Sequence, residues 1–451
     1  MRFPTTGTTV TGPSPTAPSG GCETLSSPAI DVLTVEASRL AGTVEVSGAK
    51  NSVLRLLAAT LLTRDPIILD NVPLGLLDAR IHLAMLERLG KTWTADGTTV
   101  TITEDAARPL HSRLAWEGRS IRNTLLILGA LVARTGQGAV PLPGGCALGE
   151  RKFDLHELVL RRLGAEVTQD QGMLMARAPD GLRGADIHLP IRSTGATENA
   201  ILCGSLARGR TTVWNPHVRP EILDLIRLLR AMGAHIEVRG QESIRIDGVP
   251  MLGGAWHSVI PDNMEALTWL IAATVTGGDV EILNFPFADL EVPLIFLRES
   301  GARTYRCDDA LVVRSGRCYP LDISTGPYPG INSDMQPLFA AFGVQAKGMT
   351  RIVDLRFPDR YGYATELARL GADIRVEDNM LRINGGRTLV GTDVVALDLR
   401  AGIALLLAGL SAQGTTTIHQ FWQVQRGYDD IVGKLSRLGA RIAPLSVLLE
   451  K

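Results

Sequence analysis

The chain of 451 residues is 45% hydrophobic, 21% charged and 5% aromatic, enough to bury a large core in two domains or more. Its 46 basic residues against 47 acidic ones leave a net charge of −1, which excludes a general attraction for nucleic acid or an anionic membrane, so any anion site must be local. The longest apolar runs, near 125–133 and 402–410, are about half of the roughly 20 residues that span a bilayer.

In chain order, residues 1–30 come first, rich in Pro, Thr, Ser and Gly, with little charge and no continuous apolar stretch. That composition predicts a disordered tail and not a secretory leader. Cys22, Cys146, Cys203, Cys307 and Cys318 are odd in number, scattered and without a C-x-x-C pair, so a reducing cytoplasm is expected. The 8 histidines form no H-x-x-x-H or Cys/His cluster of the common zinc kinds.

Past the tail, one unit recurs at a spacing of about seventy residues. Each copy closes a helix-patterned stretch on a glycine, at Gly90, Gly164, Gly233, Gly301, Gly371 and Gly439, where a left-handed helix end is expected. Upstream of each lies a second helix that opens on a polar cluster and continues with small apolar residues. The openings are Lys50-Asn51-Ser52, Arg122-Asn123-Thr124, Thr197-Glu198-Asn199, Asp262-Asn263-Met264, Asp334-Met335-Gln336 and Asp398-Leu399-Arg400. Short strands follow both helices, such as Thr211 to Trp214, Val280 to Leu283 and Ala234 to Val238.

Units of this length with mixed content exclude TPR, ankyrin and all-helical solenoids. The simplest packing puts three units in each of two lobes, small-residue helices inside and sheets outside: an α/β fold, a two-lobed inside-out barrel of six repeats. Asp and Asn at the helix starts have a plain explanation as caps. Solvation accounts for Lys50, Arg122 or Arg400 taken singly, but together they put cations at helix starts, where a cation opposes the macrodipole unless an anion is bound there.

Several strings, in order from about Leu33 to the C-terminus, are similar to those of the enolpyruvyl transferases, nearest to the members that use UDP-N-acetylglucosamine. They are Gly48-Ala49-Lys50-Asn51, the loop from Leu142 through Gly144-Gly145-Cys146 to Gly149, Asp154-Leu155-His156, Gly195-Ala196-Thr197-Glu198-Asn199, Asp334-Met335-Gln336, Asp398-Leu399-Arg400-Ala401 and Arg426-Gly427-Tyr428. The resemblance implies two lobes, one of residues 51–260 carrying the Cys146 loop and one of 31–50 with 261–451, and substrates bound between them. It implies phosphoenolpyruvate (PEP) as donor and a uridine nucleotide as acceptor, with no metal or cofactor.

The implied reaction is an addition–elimination that needs an acid for C3 of PEP, a group to take the acceptor proton, and cations for a phosphate and a carboxylate. By resemblance Cys146 is the acid and can hold PEP covalently, helped by Arg151 nearby. Asp334 faces the acceptor hydroxyl as base or orienting group, and Asp398 is a second carboxylate at the reacting centre. Lys50, Arg122, Arg151, Arg400 and Arg426 form the cationic set around PEP, where guanidinium forks suit phosphate and carboxylate. Lys50 serves the phosphate, Arg400 with Arg426 the carboxylate, and Arg360 supports closure. For the nucleotide, Asp154, Leu155 and His156 meet uracil, Ser193, Thr194 and Gly195 lie beside the diphosphate, and Asn51 faces the acceptor.

Four positions depart from the family pattern. Lys152 stands where Pro is usual, Arg219 where an acid is usual, Asn263 where Arg is usual, and Arg356 where a small aliphatic touches the sugar. These changes alter charge on the acceptor side while the implied catalytic set is intact. UDP-N-acetylglucosamine is therefore one expected acceptor, and UMP, as in routes to peptidyl-nucleoside antibiotics, is the other, with Arg356 or Lys152 meeting its phosphate. A catalytically silent nucleotide-binding regulator is disfavoured because all the implied catalytic residues are retained. No G-x-G-x-x-G lies between a strand and a helix, so a dinucleotide enzyme is set aside.

Overall fold

The computed structural model describes residues 30–105, 107, 109–119, 121–143 and 153–445. Cys22, Cys146, Arg151 and Lys152 lie outside the described residues.

Six small sheets carry the fold. Five have four strands in one repeated pattern, a parallel edge pair followed by two antiparallel pairings. In one of them Asp322–Ser324 runs parallel to Gly348–Val353, which pairs antiparallel with Met380–Gly385, itself antiparallel to Asp373–Glu377. The sixth has three described strands, with an isolated parallel bridge between Arg113 and Ala139 where the others have their edge strand.

The helices beneath the sheets explain the inside-out arrangement. Thr194–Leu206 is buried from Ala196 through Ser205, and Leu399–Gly409 is buried from Arg400 onward. A helix that is apolar all round is stable only when covered on every side. Small residues let these helices approach closely: a Cβ on Gly129 would run into the Asn199 side chain of the neighbouring helix. The outer helices are amphipathic instead. Pro220–Ala231 buries Ile222, Leu225, Ile226 and Leu229 and turns Arg227 and Arg230 outward. It ends at Gly233, whose φ of +103° is one that a side chain would strain, and the five other repeat-closing glycines share positive φ.

Two hydrophobic cores result, each beneath three of the sheets. One gathers residues from Val53 to Val259, the other Leu33 to Val46 with Met264 to Leu438. The N-terminal strands join the second: Ala41–Glu45 runs parallel to Asp279–Leu283, and Val32–Glu36 is flanked by Thr415–His419 and Ile442–Leu445. The chain therefore crosses between cores twice, and the crossings are tied together. Gly48 and Pro261 form an antiparallel bridge, Ala49 N donates to Ile260 O at 2.7 Å, and Asp262 N donates to Ser47 O at 2.9 Å.

The polar openings of the inner helices fall less regularly than their spacing suggests. Lys50 begins its helix, and Asp262 and Asp398 are true caps. Arg122 and Asp334 precede theirs, which begin at Thr124 and Gln336. The third helix is a correction: it starts at Thr194 behind the cap Ser193, so Thr197, Glu198 and Asn199 lie inside it and are buried. Ser193 Oγ accepts from Ala196 N, and this capping bond sets the start earlier than the apolar pattern does.

Candidate active site

Where the two crossings meet, two carboxylates, Asp78 and Asp334, each pair with two of the cations singled out in the sequence. Lys50 heads its helix without a capping side chain, and its Nζ donates to Asp78 Oδ2 at 2.9 Å. Arg426, from the other core, reaches the same carboxylate through Nε at 3.0 Å. Asp78 is 2% exposed. Burial alone would raise its pKa, but Lys50 and Arg426 outweigh this and hold it below the ordinary carboxylate value. Asp262 Oδ2 accepts the Lys50 backbone N–H at 2.9 Å while its Oδ1 caps Met264 and Glu265.

A second group lies around Asp334. Arg360 NH1 donates to Asp334 Oδ1 at 2.7 Å, and Arg400 NH2 stands 3.8 Å from Oδ2. Both arginines are buried, whereas a third of the Asp334 side chain stays accessible. Its pKa is pushed up by burial and down, decisively, by Arg360 and Arg400, so it is ionised at neutral pH. Arg400 also donates to the Tyr428 hydroxyl at 3.4 Å, and Thr268 fixes that hydroxyl at 2.8 Å. Asp398 spends Oδ1 on the N–H groups of Arg400 and Ala401, at 2.7 and 3.0 Å, and adds negative charge near Arg360. It thereby sets the direction in which the Arg400 helix points.

The predicted nucleotide residues form a third group. His156 is buried, with Nδ1 3.2 Å from Asn199 Nδ2, and Gly195 packs so closely above it that a Cβ would stand 2.7 Å from Nε2. Burial first, then Arg122, pushes the imidazole down to about 3, so it is neutral. Arg122 thus lies near enough to His156 to act on its charge. Asp154 begins the same helix and is exposed, with Leu155 half-buried beside it. Thr194 Oγ1 lies 2.8 Å from His217 Nδ1.

Among the departures, Arg219 is bidentate to Glu221 at 2.6 and 2.7 Å, and Asn263 is buried at the start of its helix. Arg356 is exposed, stacked 5.6 Å over the Phe357 ring. Of the predicted cations, Arg426 stands with Lys50 and Arg400 with Arg360, in separate groups, while Arg122 acts on His156 and Arg151 lies outside the described residues. Sequence reasoning missed Asp78. It occupies the first turn of Leu77–Arg88, where an acid is ordinary for the helix dipole, so nothing local marks it. Asp262 could have been found, since it opens one of the six repeated helices.

Residues 35–435 match the family described as EPSP synthase (3-phosphoshikimate 1-carboxyvinyltransferase). The chain is 41% identical over 410 residues to the UDP-N-acetylglucosamine 1-carboxyvinyltransferase of Caulobacter vibrioides, covering 90% of this chain and 95% of that one. To UDP-N-acetylglucosamine 1-carboxyvinyltransferase 1 of Carboxydothermus hydrogenoformans it is 43% identical over 406 residues, covering 89% and 95%. Among solved structures, the enolpyruvyl transferase NikO from Streptomyces tendae superimposes with a TM-score of 0.82 at 28% identity, over 92% of this chain and 99% of that one. An EPSP synthase of Acinetobacter baumannii shares the fold, with a TM-score of 0.69 at 19% identity over 92% and 100%.

Proposed function

The chain belongs to the EPSP synthase (3-phosphoshikimate 1-carboxyvinyltransferase) family, and from its carboxyvinyltransferase activity we propose that it moves the enolpyruvyl group of PEP onto a hydroxyl of a uridine nucleotide. The observation that carries this reading is the gathering of Lys50, Arg360, Arg400 and Arg426 around Asp78 and Asp334 where the two cores meet. Cations so placed suit the phosphate and carboxylate of PEP, and an accessible ionised carboxylate beside them suits the acceptor hydroxyl.

In this mechanism the acceptor oxygen attacks C2 of PEP while C3 takes a proton from Cys146, giving a tetrahedral adduct. C3 then returns a proton, the C2–O bond to phosphate breaks, and the vinyl group is restored on the acceptor. Lys50, Arg122 and Arg151 bind the phosphate, and Arg400 and Arg426 the carboxylate. Asp334 is too acidic to be a strong base, so it orients the hydroxyl and receives its proton only as the new C–O bond forms. Asp398 holds Arg400 in direction. Uracil rests on Asp154, Leu155 and neutral His156, with Ser193, Thr194 and Gly195 along the phosphate path and Asn51 at the acceptor. Closing the lobes excludes water from the adduct.

Two acceptors follow from different observations. UDP-N-acetylglucosamine is supported by the names of relatives at 41% and 43% identity. UMP is supported by Arg356, an exposed cation on the acceptor side. The test is phosphate release from PEP with each nucleotide supplied separately, the products weighed by mass spectrometry. Release and a product heavier by the enolpyruvyl group with either nucleotide upholds the reading, and release with neither overturns it.

A further inference from the structure

In the sheet where a single bridge replaces the edge strand, the chain departs from the repeat. Elsewhere an edge strand leads within a few residues to an inner helix, as from His188 to Thr194, Ser258 to Asn263 and Val395 to Leu399. Here the bridge at Arg113 is followed by an excursion before the helix begins at Thr124. Its turn is held from inside. The Trp116 indole N–H donates to Arg119 O at 3.1 Å, and Gly118 passes so near the indole that a Cβ would stand 2.9 Å from it. Trp116 also packs against the core of its own lobe.

This turn carries Arg119 to the other lobe. Its guanidinium carbon lies 3.8 Å from the centroid of the Trp422 ring, well inside the ~6 Å reach of cation–π attraction. Trp422 begins the short helix Trp422–Gln425, and Arg426 caps its end. Residues one turn apart share a helix face, so Trp422 and Arg426 meet the lobe of Asp78 side by side, one at Arg119 and the other at Asp78, 3.0 Å away. The far end of the excursion is fixed as well. Asn123 Nδ2 donates to Leu54 O at 2.7 Å and lies 3.1 Å from Nδ1 of His82, which follows Asp78 by one turn on Leu77–Arg88. Burial pushes His82 down to about 3, so its ring is neutral and Nδ1 accepts from the amide. Arg122 lies in the chain between these two anchors, Arg119 and Asn123.

We propose that Trp422 is a positioning residue for enolpyruvyl transfer: its stack on Arg119 clasps the two lobes and holds Arg122 in place opposite Arg426, so that the cations for the phosphate and the carboxylate of PEP stand ready together. Without the clasp, Arg122 is anchored at Asn123 alone, and the excursion must be ordered at the expense of PEP binding. Trp422 acts through Arg119 and not on PEP itself. The inference rests on the reading of Arg122 as a PEP cation and holds for either acceptor nucleotide.

Trp422→Leu removes the ring and keeps an apolar side chain, Trp422→Phe keeps a π face, and Arg119→Gln removes the cation. PEP affinity is measured by calorimetry, kcat and the KM of each substrate by phosphate release, and stability by urea denaturation. Trp422→Leu and Arg119→Gln should each weaken PEP roughly threefold to thirtyfold, the size of one cation–π contact, and leave the nucleotide KM unchanged. The double variant should be no weaker than either single one, and Trp422→Phe should recover part of the loss. Weaker PEP binding in Arg119→Gln but not in Trp422→Leu makes Arg119 a direct contact and overturns the clasp, as do additive losses or a nucleotide KM raised as much as that of PEP. A lower urea midpoint with unchanged PEP affinity marks a merely structural contact and overturns it too. Absence of turnover with either nucleotide overturns transfer to a uridine nucleotide, while PEP calorimetry on the same variants still decides the clasp.

Discussion

Replacing Asp78 by Asn removes the charge that Lys50 and Arg426 share and keeps the shape of the side chain. Breaking a buried ion pair by removing one partner costs about 3–5 kcal/mol. Here the Lys50 and Arg426 side chains keep 13% and 22% of their surface accessible, so water recovers part of the loss and about 2–3 kcal/mol is expected. Urea denaturation at pH 7 measures it as a drop in the midpoint at unchanged slope. The sign with pH follows from a native pKa held below the usual value of 3.8. The stabilisation is fully present above that value and is lost as pH falls through the lower native pKa, so the deficit of Asp78→Asn should be constant from pH 5 to 8 and narrow only below about 4. PEP brings a phosphate to Lys50 and a carboxylate to Arg426, so saturating PEP should raise the midpoint of Asp78→Asn more than that of the wild type. A deficit under about 1 kcal/mol, or one that varies between pH 5 and 8, would refute this account of the Lys50–Asp78–Arg426 group.

Arg360→Ala removes the strongest partner of Asp334, so the Asp334 pKa should rise and the acidic limb of kcat/KM should move toward neutral pH; an unmoved limb means that another group carries it. Cys146→Ala should abolish or severely reduce turnover, and fosfomycin should alkylate Cys146 alone, as read by peptide mass spectrometry. Labelling of Cys203 or of the exposed Cys307 instead would contradict this; burial pushes the Cys203 thiol up to about 12. Because His156 is held neutral, with a pKa near 3, nucleotide affinity should show no His156-dependent step between pH 5 and 8, which His156→Gln against wild type in calorimetry would reveal.

The repeat was legible in the amino-acid order because its signals are local. A glycine at +103° after Met232, a run of small apolar residues with no polar face in Leu399–Gly409, and alternating strands such as Arg210–Trp214 are each decided by a few neighbours. From those, the α/β class, the inside position of the small-residue helices and six units could be written down, and the ordered motifs added the family. The start of the third helix escaped, since one hydroxyl cap at Ser193 outweighed the apolar pattern.

What the tertiary structure alone decided is which charges meet. Asp78 and Arg426 are more than three hundred residues apart, yet the double crossing of the chain brings them within 3.0 Å. Asp334 could be read as a cap, an orienting group or a base from its motif, and only the approach of Arg360 and Arg400 makes it strongly acidic. Coulomb interactions depend on distance in space and not on distance along the chain.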